Sequence, residues 1–160
     1  MRNSTIGKVG VTLAVSGKEF AVDHEDVLRI AEFNWTLTKQ GYAITSGGNK
    51  VIYLHRLIMD APIGKCVDHI NGDRTDNRKS NLRICTQAQN LYNSTAQSTS
   101  TSKFKGVSWK SDKRKWRASI KINGKCFHLG YFNDEVSAAK VYNERAIKEF
   151  GEYAYLNTVL

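Results

Sequence analysis

Val67-Asp68-His69-Ile70-Asn71-Gly72-Asp73, followed by Asn77, Asn81-Leu82-Arg83-Ile84 and Thr86-Gln87-Ala88-Gln89-Asn90, is the stretch on which the reading of this chain turns. Cys66 to Ile70 reads as a short strand, and Asn71-Gly72 after it is a strong turn signal. A polar loop runs from Asp73 to Ser80, and a second short strand covers Leu82 to Cys85. Thr86 and Gln89, three positions apart, form a capping box that opens a helix to about Ser94. The predicted order is strand, loop, strand, helix.

Asp68 and His69 are neighbours in a strand and so point to opposite faces, which lets one hold a metal while the other approaches from its own side. A hard cation such as Mg²⁺ prefers oxygen ligands and takes only one or two from the protein. Asp68 and the side-chain amide of Asn90 supply that number. An imidazole with an ordinary pKa of about 6.5 is neutral near pH 7 and can take a proton from an attacking water. Taken singly, the residues also have ordinary roles: Asp68 as a turn cap, His69 as a satisfied strand histidine, the asparagines as loop formers. A calcium loop fails, although Asp73, Thr75 and Asn77 alternate, because Arg78 stands where such a loop needs Gly and no Glu follows at the twelfth position.

Taken together, the cluster resembles the HNH nuclease family in its homing-endonuclease branch. The resemblance covers Tyr53 to Asn93 and rests on Leu54-His55-Arg56-Leu57-Ile58, on Val67 through Asp73, on Asn77-Arg78-Lys79-Ser80-Asn81-Leu82-Arg83 and on Thr86 through Asn90. It implies that His69 is the general base, that Asp68 binds metal, and that Asn81 braces the loop and the base. Asn90 stands where many members carry a second metal-ligating His, and an amide there favours Mg²⁺ or Mn²⁺ over Zn²⁺. Arg56 is expected to touch the phosphate backbone. Three cysteines, Cys66, Cys85 and Cys126, are odd in number and widely spaced, so no disulfide framework and no structural zinc is expected.

Over all 160 residues, 24 Lys and Arg against 15 Asp and Glu give a formal +9. With 41% hydrophobic residues and Pro62 as the single proline, the composition is that of a folded chain. No apolar run approaches the ~18 residues of a membrane span, and Met1-Arg2-Asn3-Ser4 leads into no signal-peptide core. The expectation is a soluble cytoplasmic protein, in the host cytoplasm if phage-encoded, with no membrane partner. An alternating stretch at Val9, Val11, Leu13 and Val15 predicts a strand. Asp23 is expected to cap a short helix carrying Val27, Leu28, Ile30, Ala31 and Phe33, with Asp23, His24, Glu25 and Asp26 as a capping cluster. Strands are expected at Asn34 to Thr38, Tyr42 to Thr45 and Asn49 to Leu57, and no chemistry in residues 1 to 50.

Residues 93–102 hold seven Ser or Thr in ten and read as a flexible tether. Beyond them, residues 103–125 carry nine Lys or Arg against the single acid Asp112, a localised basic stripe of the kind that binds polyanions. Asn123-Gly124 predicts a type I′ hairpin. A two-residue loop there sets Trp116 opposite Tyr131, Ala118 opposite Leu129 and Ile120 opposite Phe127 on one apolar face. Lys115, Arg117, Ser119 and Lys121 then share the other face with His128 and Cys126. Asn133 or Asp134 caps a following helix with Val136, Ala139, Tyr142, Ala146 and Phe150 on one side and Gly151 as its stop.

This segment resembles the plant ethylene-response-factor (AP-two) DNA-binding domain at Phe104-Lys105-Gly106-Val107, Trp116, Leu129-Gly130-Tyr131-Phe132, Ala138-Ala139, Tyr142, Ala146 and Tyr155-Leu156-Asn157. The resemblance implies a three-stranded sheet backed by a helix, with Lys105, Ser108, Lys110, Ser119, Lys121 and His128 at DNA-contacting positions. Lys115 and Arg117 join them from the pairing argument. Lysine as a point charge suits phosphates better than bidentate base reading.

The sequence therefore predicts an α+β protein: a β-rich segment and an HNH ββα-metal region over 1–92, a linker at 93–102, and a three-stranded antiparallel sheet packed on one helix over 103–160. The expected activity is metal-dependent hydrolysis of DNA phosphodiester bonds, by nicking or double-strand cleavage, as in a phage homing endonuclease. The expected partner is double-stranded DNA and the expected state a monomer or weak dimer. The alternative is a non-catalytic, sequence-specific DNA-binding regulator that keeps the HNH region as scaffold. An RNA-binding role fits less well, because the exposed sheet face is basic and not aromatic.

Overall fold

The computed structural model describes residues 10–48, 50–95 and 100–159. Val9, Asn49 and residues 96–99, on which parts of the expected first strand, third strand and tether fall, lie outside them. The fold is α+β, and the chain divides into two compact units, Met1–Thr86 and Gln87–Leu160.

The first unit opens with a hairpin of β1 (Gly10–Val15) and β2 (Lys18–Asp23), turned by Ser16 and Gly17, both at positive φ. Its alternation puts Val15, Phe20 and Val22 into the core with Ile30, Ala43, Leu54, Ile58, Val67 and Leu82. Phe20, Val22 and Leu54 are 0% exposed, and removing each such side chain from water contributes about 1.5–3 kcal/mol. A 3-10 turn, His24–Asp26, leads into α1 (Val27–Ala31). Neither Asp23 nor Asp26 caps it: the Asp23 carboxylate accepts from the Lys79 backbone amide at 2.8 Å, and Lys79 Nζ lies 2.9 Å from Glu25 and 3.1 Å from Asp26. The expected capping cluster is instead a socket for Lys79.

β3 (Thr36–Leu37), β4 (Ala43–Gly47) and β5 (Lys50–Tyr53) form an antiparallel sheet in that order. The expected strand to Leu57 ends at Tyr53, because Leu54–Ile58 is a helix, α2, with Leu54, His55 and Ile58 buried on one side. A spacing of three and four suits a helix face and is too sparse for strand alternation. β6 (Cys66–His69) pairs with β7 (Leu82–Cys85), setting Asp68 opposite Arg83 and His69 opposite Leu82.

The second unit contains α3 (Gln87–Tyr92), the antiparallel strands β8 (Val107–Lys110), β9 (Lys115–Ile122) and β10 (Lys125–Phe132) in the order β10-β9-β8, and α4 (Glu135–Phe150). Asp134 caps α4 by accepting from Ser137 N at 2.7 Å, and Gly151 ends it at φ 54°. Ala118, Ala138, Ala139 and Ala146 are all 0% exposed, so small side chains let helix and sheet meet closely. The β8 approach is closer still. Gly106, at φ +78°, leaves no room for a Cβ, which would fall 2.1 Å from the Tyr142 ring and 2.6 Å from Ser119 O.

Two expectations change here. Asn123 and Gly124 form the turn at positive φ, and the pairing runs as expected from Lys125 opposite Ile122 to His128 opposite Ser119. Leu129 is then an extra residue, a bulge, after which Gly130 pairs with Ala118, Tyr131 with Arg117 and Phe132 with Trp116. A bulge exchanges the faces of every later side chain. The tether reading fails at its far end, where Ser102 is buried, donates to Glu135 and accepts from Phe104 N, while Thr101 Oγ1 accepts from Trp109 N at 2.8 Å.

Candidate active site and nucleic-acid interface

His69 lies at the end of β6, buried, with Nε2 3.2 Å from Asn77 Oδ1. Asn77 is 1% exposed, and its Nδ2 donates to Arg74 O at 3.1 Å. With the amide nitrogen so committed, the oxygen faces the imidazole and accepts from it. Nε2 therefore carries the proton and Nδ1 is the unprotonated nitrogen. Burial pulls the His69 pKa below its ordinary value, against the opposing pull of the Asn77 bond and Asp68. A neutral imidazole at this position is the form a general base requires.

The loop holding Asn77 is fixed from two directions. Asn81 accepts from Asn71 N at 3.0 Å, donates from Nδ2 to Asn71 Oδ1 and Asp76 O, and through its carbonyl accepts from Ile70 N. It thus braces the turn directly after His69, while the residue that touches the imidazole is Asn77. From the other side, β2 reaches the loop through Ala21 N to Thr75 O and Asn77 N to Ala21 O, both 2.8 Å. The N-terminal hairpin, expected to carry no chemistry, positions Asn77, the residue that touches His69.

Aromatic rings wall the same place. His55 packs edge-on against His69 at 5.2 Å between centroids, with Tyr42 at 5.3 Å and Tyr53 at 5.4 Å from His55. Arg74 stacks over Tyr42 at 4.6 Å and donates to Gln40 O. Burial, with the neighbouring His69 and Arg56, pushes the His55 pKa down to about 3. The sequence gives His55, Tyr42 and Tyr53 no role at the site, since their approach depends on β4, β5 and α2 converging.

Asp68 is buried, and its Oδ2 accepts from Arg83 Nε at 2.9 Å and Nη2 at 2.6 Å. The cross-strand guanidinium orients this carboxylate. Asn90 lies on α3, in the second unit. A carboxylate and an amide are hard oxygen donors and fit Mg²⁺ or Mn²⁺. The acidic trio Asp23, Glu25 and Asp26 is close enough to ligate a cation, but Lys79 occupies it. Arg56 differs from expectation: its guanidinium donates to Ala61 O, Pro62 O and Lys65 O, stapling the chain after α2.

In the second unit, core packing on α4 takes Val107, Trp116, Ala118, Ile120, Leu129 and Phe132. The alternate positions share the opposite face: Ser108 and Lys110 on β8, Lys115, Arg117, Ser119 and Lys121 on β9, His128 on β10. The bulge adds Tyr131, which sequence pairing had put on the core side. Its ring lies 4.6 Å from His128 and 5.0 Å from Lys113 Nζ. Lys105 is not on this face. Its Nζ donates to Leu91 O at 3.2 Å, Tyr92 O at 2.7 Å and Ser94 Oγ at 3.3 Å, and burial pulls its pKa down to about 8.

Residues 53–92 match the sequence profile of the HNH endonucleases. The chain is 36% identical over 136 residues to an uncharacterized HNH endonuclease of Acanthamoeba polyphaga mimivirus, covering 81% of this chain and 70% of that protein. It is 33% identical over 64 residues to Protein 3.8 of Escherichia phage T7, covering 40% of this chain and 53% of that protein. No solved structure matches it.

Proposed function

Starting from a chain that belongs to the HNH endonuclease family, we propose that it is a divalent-metal-dependent DNA endonuclease whose general base is His69. The observation that carries this reading is the buried His69–Asn77 hydrogen bond, which presents a neutral imidazole with Nδ1 unprotonated inside the matched segment. His69 Nδ1 takes the proton of a water attacking the scissile phosphorus in line. Asn77 holds the ring and stabilises the imidazolium that results. Asn81 keeps the loop rigid. Asp68, oriented by Arg83, and Asn90 are the ligands for Mg²⁺ or Mn²⁺. The cation, when bound, supplies charge that polarises the phosphate and offsets the negative charge on the leaving 3′ oxygen. The products are a 5′-phosphate and a 3′-hydroxyl.

The substrate assigned is duplex DNA, held by the open face of the second unit through Lys110, Lys115, Arg117 and Lys121, with Ser108, Ser119 and His128 among them. A three-stranded sheet backed by one helix supports the ethylene-response-factor-like reading of this unit, and sheets of this kind can lie in a major groove. The viral relatives support a homing-type element acting in a host cytoplasm. No helix among the described residues is long and apolar enough to cross a membrane.

Supercoiled plasmid with Mg²⁺ tests the reading: the protein is expected to produce nicked or linear DNA, and His69→Ala to lose cleavage by about 10²–10⁴-fold while still binding DNA in EDTA. Undiminished cutting by folded His69→Ala removes His69 as the base. Binding without cutting by the unaltered protein favours the regulator.

A further inference from the structure

The six-residue helix α3 has no buried residue of its own. Isolated helices much shorter than about 12 residues are marginal in water, so contacts from outside must hold this one, and one set of them lies at its C-terminal end. The last carbonyls of a helix have no partner within it and attract cations. Lys105 meets that need, its ammonium donating to Leu91 O, Tyr92 O and Ser94 Oγ. Tyr155 N donates to Tyr92 O at 3.2 Å, and the Tyr92 ring stacks on Phe150 at 3.9 Å and 10°.

Lys105 is itself fixed. Its backbone N donates to Asn157 Oδ1 at 2.7 Å, and Asn157 Nδ2 returns a bond to Lys105 O at 3.1 Å. Asn157, 4% exposed, is tied in turn to Asn143 of α4 by two bonds of 2.8 Å. A continuous set of contacts thus runs from α4 through Asn157 and Lys105 to the end of the helix that carries Asn90.

We propose that Lys105 is a positioning residue for the nuclease reaction: it locks α3 and thereby sets the affinity of the Asn90 ligand for the metal, instead of contacting DNA. The proposal rests on the reading of Asn90 as a ligand. Outer-shell groups that orient a ligand typically change metal affinity by about 10–100-fold.

The test uses the full chain with Mn²⁺ alone as probe, free Mn²⁺ being read by electron paramagnetic resonance, and duplex affinity measured separately in EDTA. Lys105→Met is expected to weaken Mn²⁺ binding by about tenfold, in the same direction as Asn90→Ala, and to leave duplex affinity in EDTA unchanged. Unchanged Mn²⁺ binding by Lys105→Met, with Asn90→Ala weakened, overturns the lock and leaves the ligand standing. Unchanged binding by Asn90→Ala overturns both. A fall in duplex affinity with Mn²⁺ binding intact makes Lys105 a phosphate contact and likewise overturns it. Should Lys105→Met not fold, Lys105→Gln, which removes the ammonium and shortens the side chain, takes its place; wild-type Mn²⁺ binding by it overturns the proposal.

Discussion

Asn77 Oδ1 stands 3.2 Å from His69 Nε2, with both side chains buried and the asparagine amide nitrogen committed to Arg74 O. This contact defines which imidazole nitrogen is basic. Asn77→Ala is expected to lower the cleavage rate by about 10²-fold, with duplex affinity in EDTA unchanged. Asn77→Asp keeps the shape and the acceptor but adds a charge that favours imidazolium. It should be slow at neutral pH and recover as pH rises, read by plasmid cleavage across pH 6–9. Wild-type rates in both variants would reject the role.

His55 gives a pH dependence of stability. Its imidazole is held to a pKa of about 3 in the folded chain, whereas the unfolded chain titrates at about 6.5. Between those values the unfolded state binds the extra proton, so stability falls as pH drops from about 6.5 toward 3, by at most about 1.4 kcal/mol per pH unit. Above that window His55 is neutral in both states and contributes no slope. Urea unfolding at pH 7, 6, 5 and 4 should be steeper in pH for the natural protein than for His55→Leu. The difference isolates His55 from the carboxylates, and equal slopes would show that it is not held neutral.

The strand–loop–strand–helix order around His69 was legible because each piece is local: a turn dipeptide, a polar loop, a capping pair. So were the Asn123-Gly124 turn and the Asp134 cap, which depend on residues within a few positions. What escaped the sequence depends on distant groups. Leu54–Ile58 reads as the end of a strand until the core beneath it is known. Arg56 and Lys105 look like solvent-facing cations, and only the carbonyls of Ala61, Pro62 and Lys65, or of Leu91 and Tyr92, show that they are fixed within the protein. A bulge at Leu129 adds one residue, marked in the sequence only by the glycine that follows it inside the strand, Gly130 at φ 143°, and it moves Tyr131 to the face shared with Arg117.

That face makes a separable prediction. Four cations, Lys110, Lys115, Arg117 and Lys121, would give a slope of log affinity on log salt of about −3.6 if each neutralises one phosphate. Lys121→Ala should make the slope shallower by about 0.9. Tyr131→Ala, which removes a ring and no charge, should weaken duplex binding while leaving the slope as it was. Fluorescence anisotropy on the full chain in EDTA reads both quantities. A flat salt dependence rejects the face as the DNA surface, and wild-type affinity in Tyr131→Ala rejects the contribution of the bulge.

Gly106 tests how closely the second unit is packed around that sheet. An added Cβ would stand 2.1 and 2.4 Å from two Tyr142 ring carbons and 2.6 Å from Ser119 O, on a residue at φ +78°. Tyr142 has little room to move, being 2% exposed on the face of α4 that packs on the sheet, and Ser119 O is backbone of β9, whose amide donates back to Gly106 O at 2.8 Å. Both the clash and the backbone conformation oppose the substitution, so Gly106→Ala should destabilise the second unit by about 3 kcal/mol or more. Trp109 and Trp116 report that unit and Trp35 the first. Urea unfolding of variants keeping either Trp35 alone or Trp109 and Trp116 should therefore show the loss at the second pair. A midpoint there unchanged by Gly106→Ala would mean that β8 does not approach Tyr142 as closely as this packing requires.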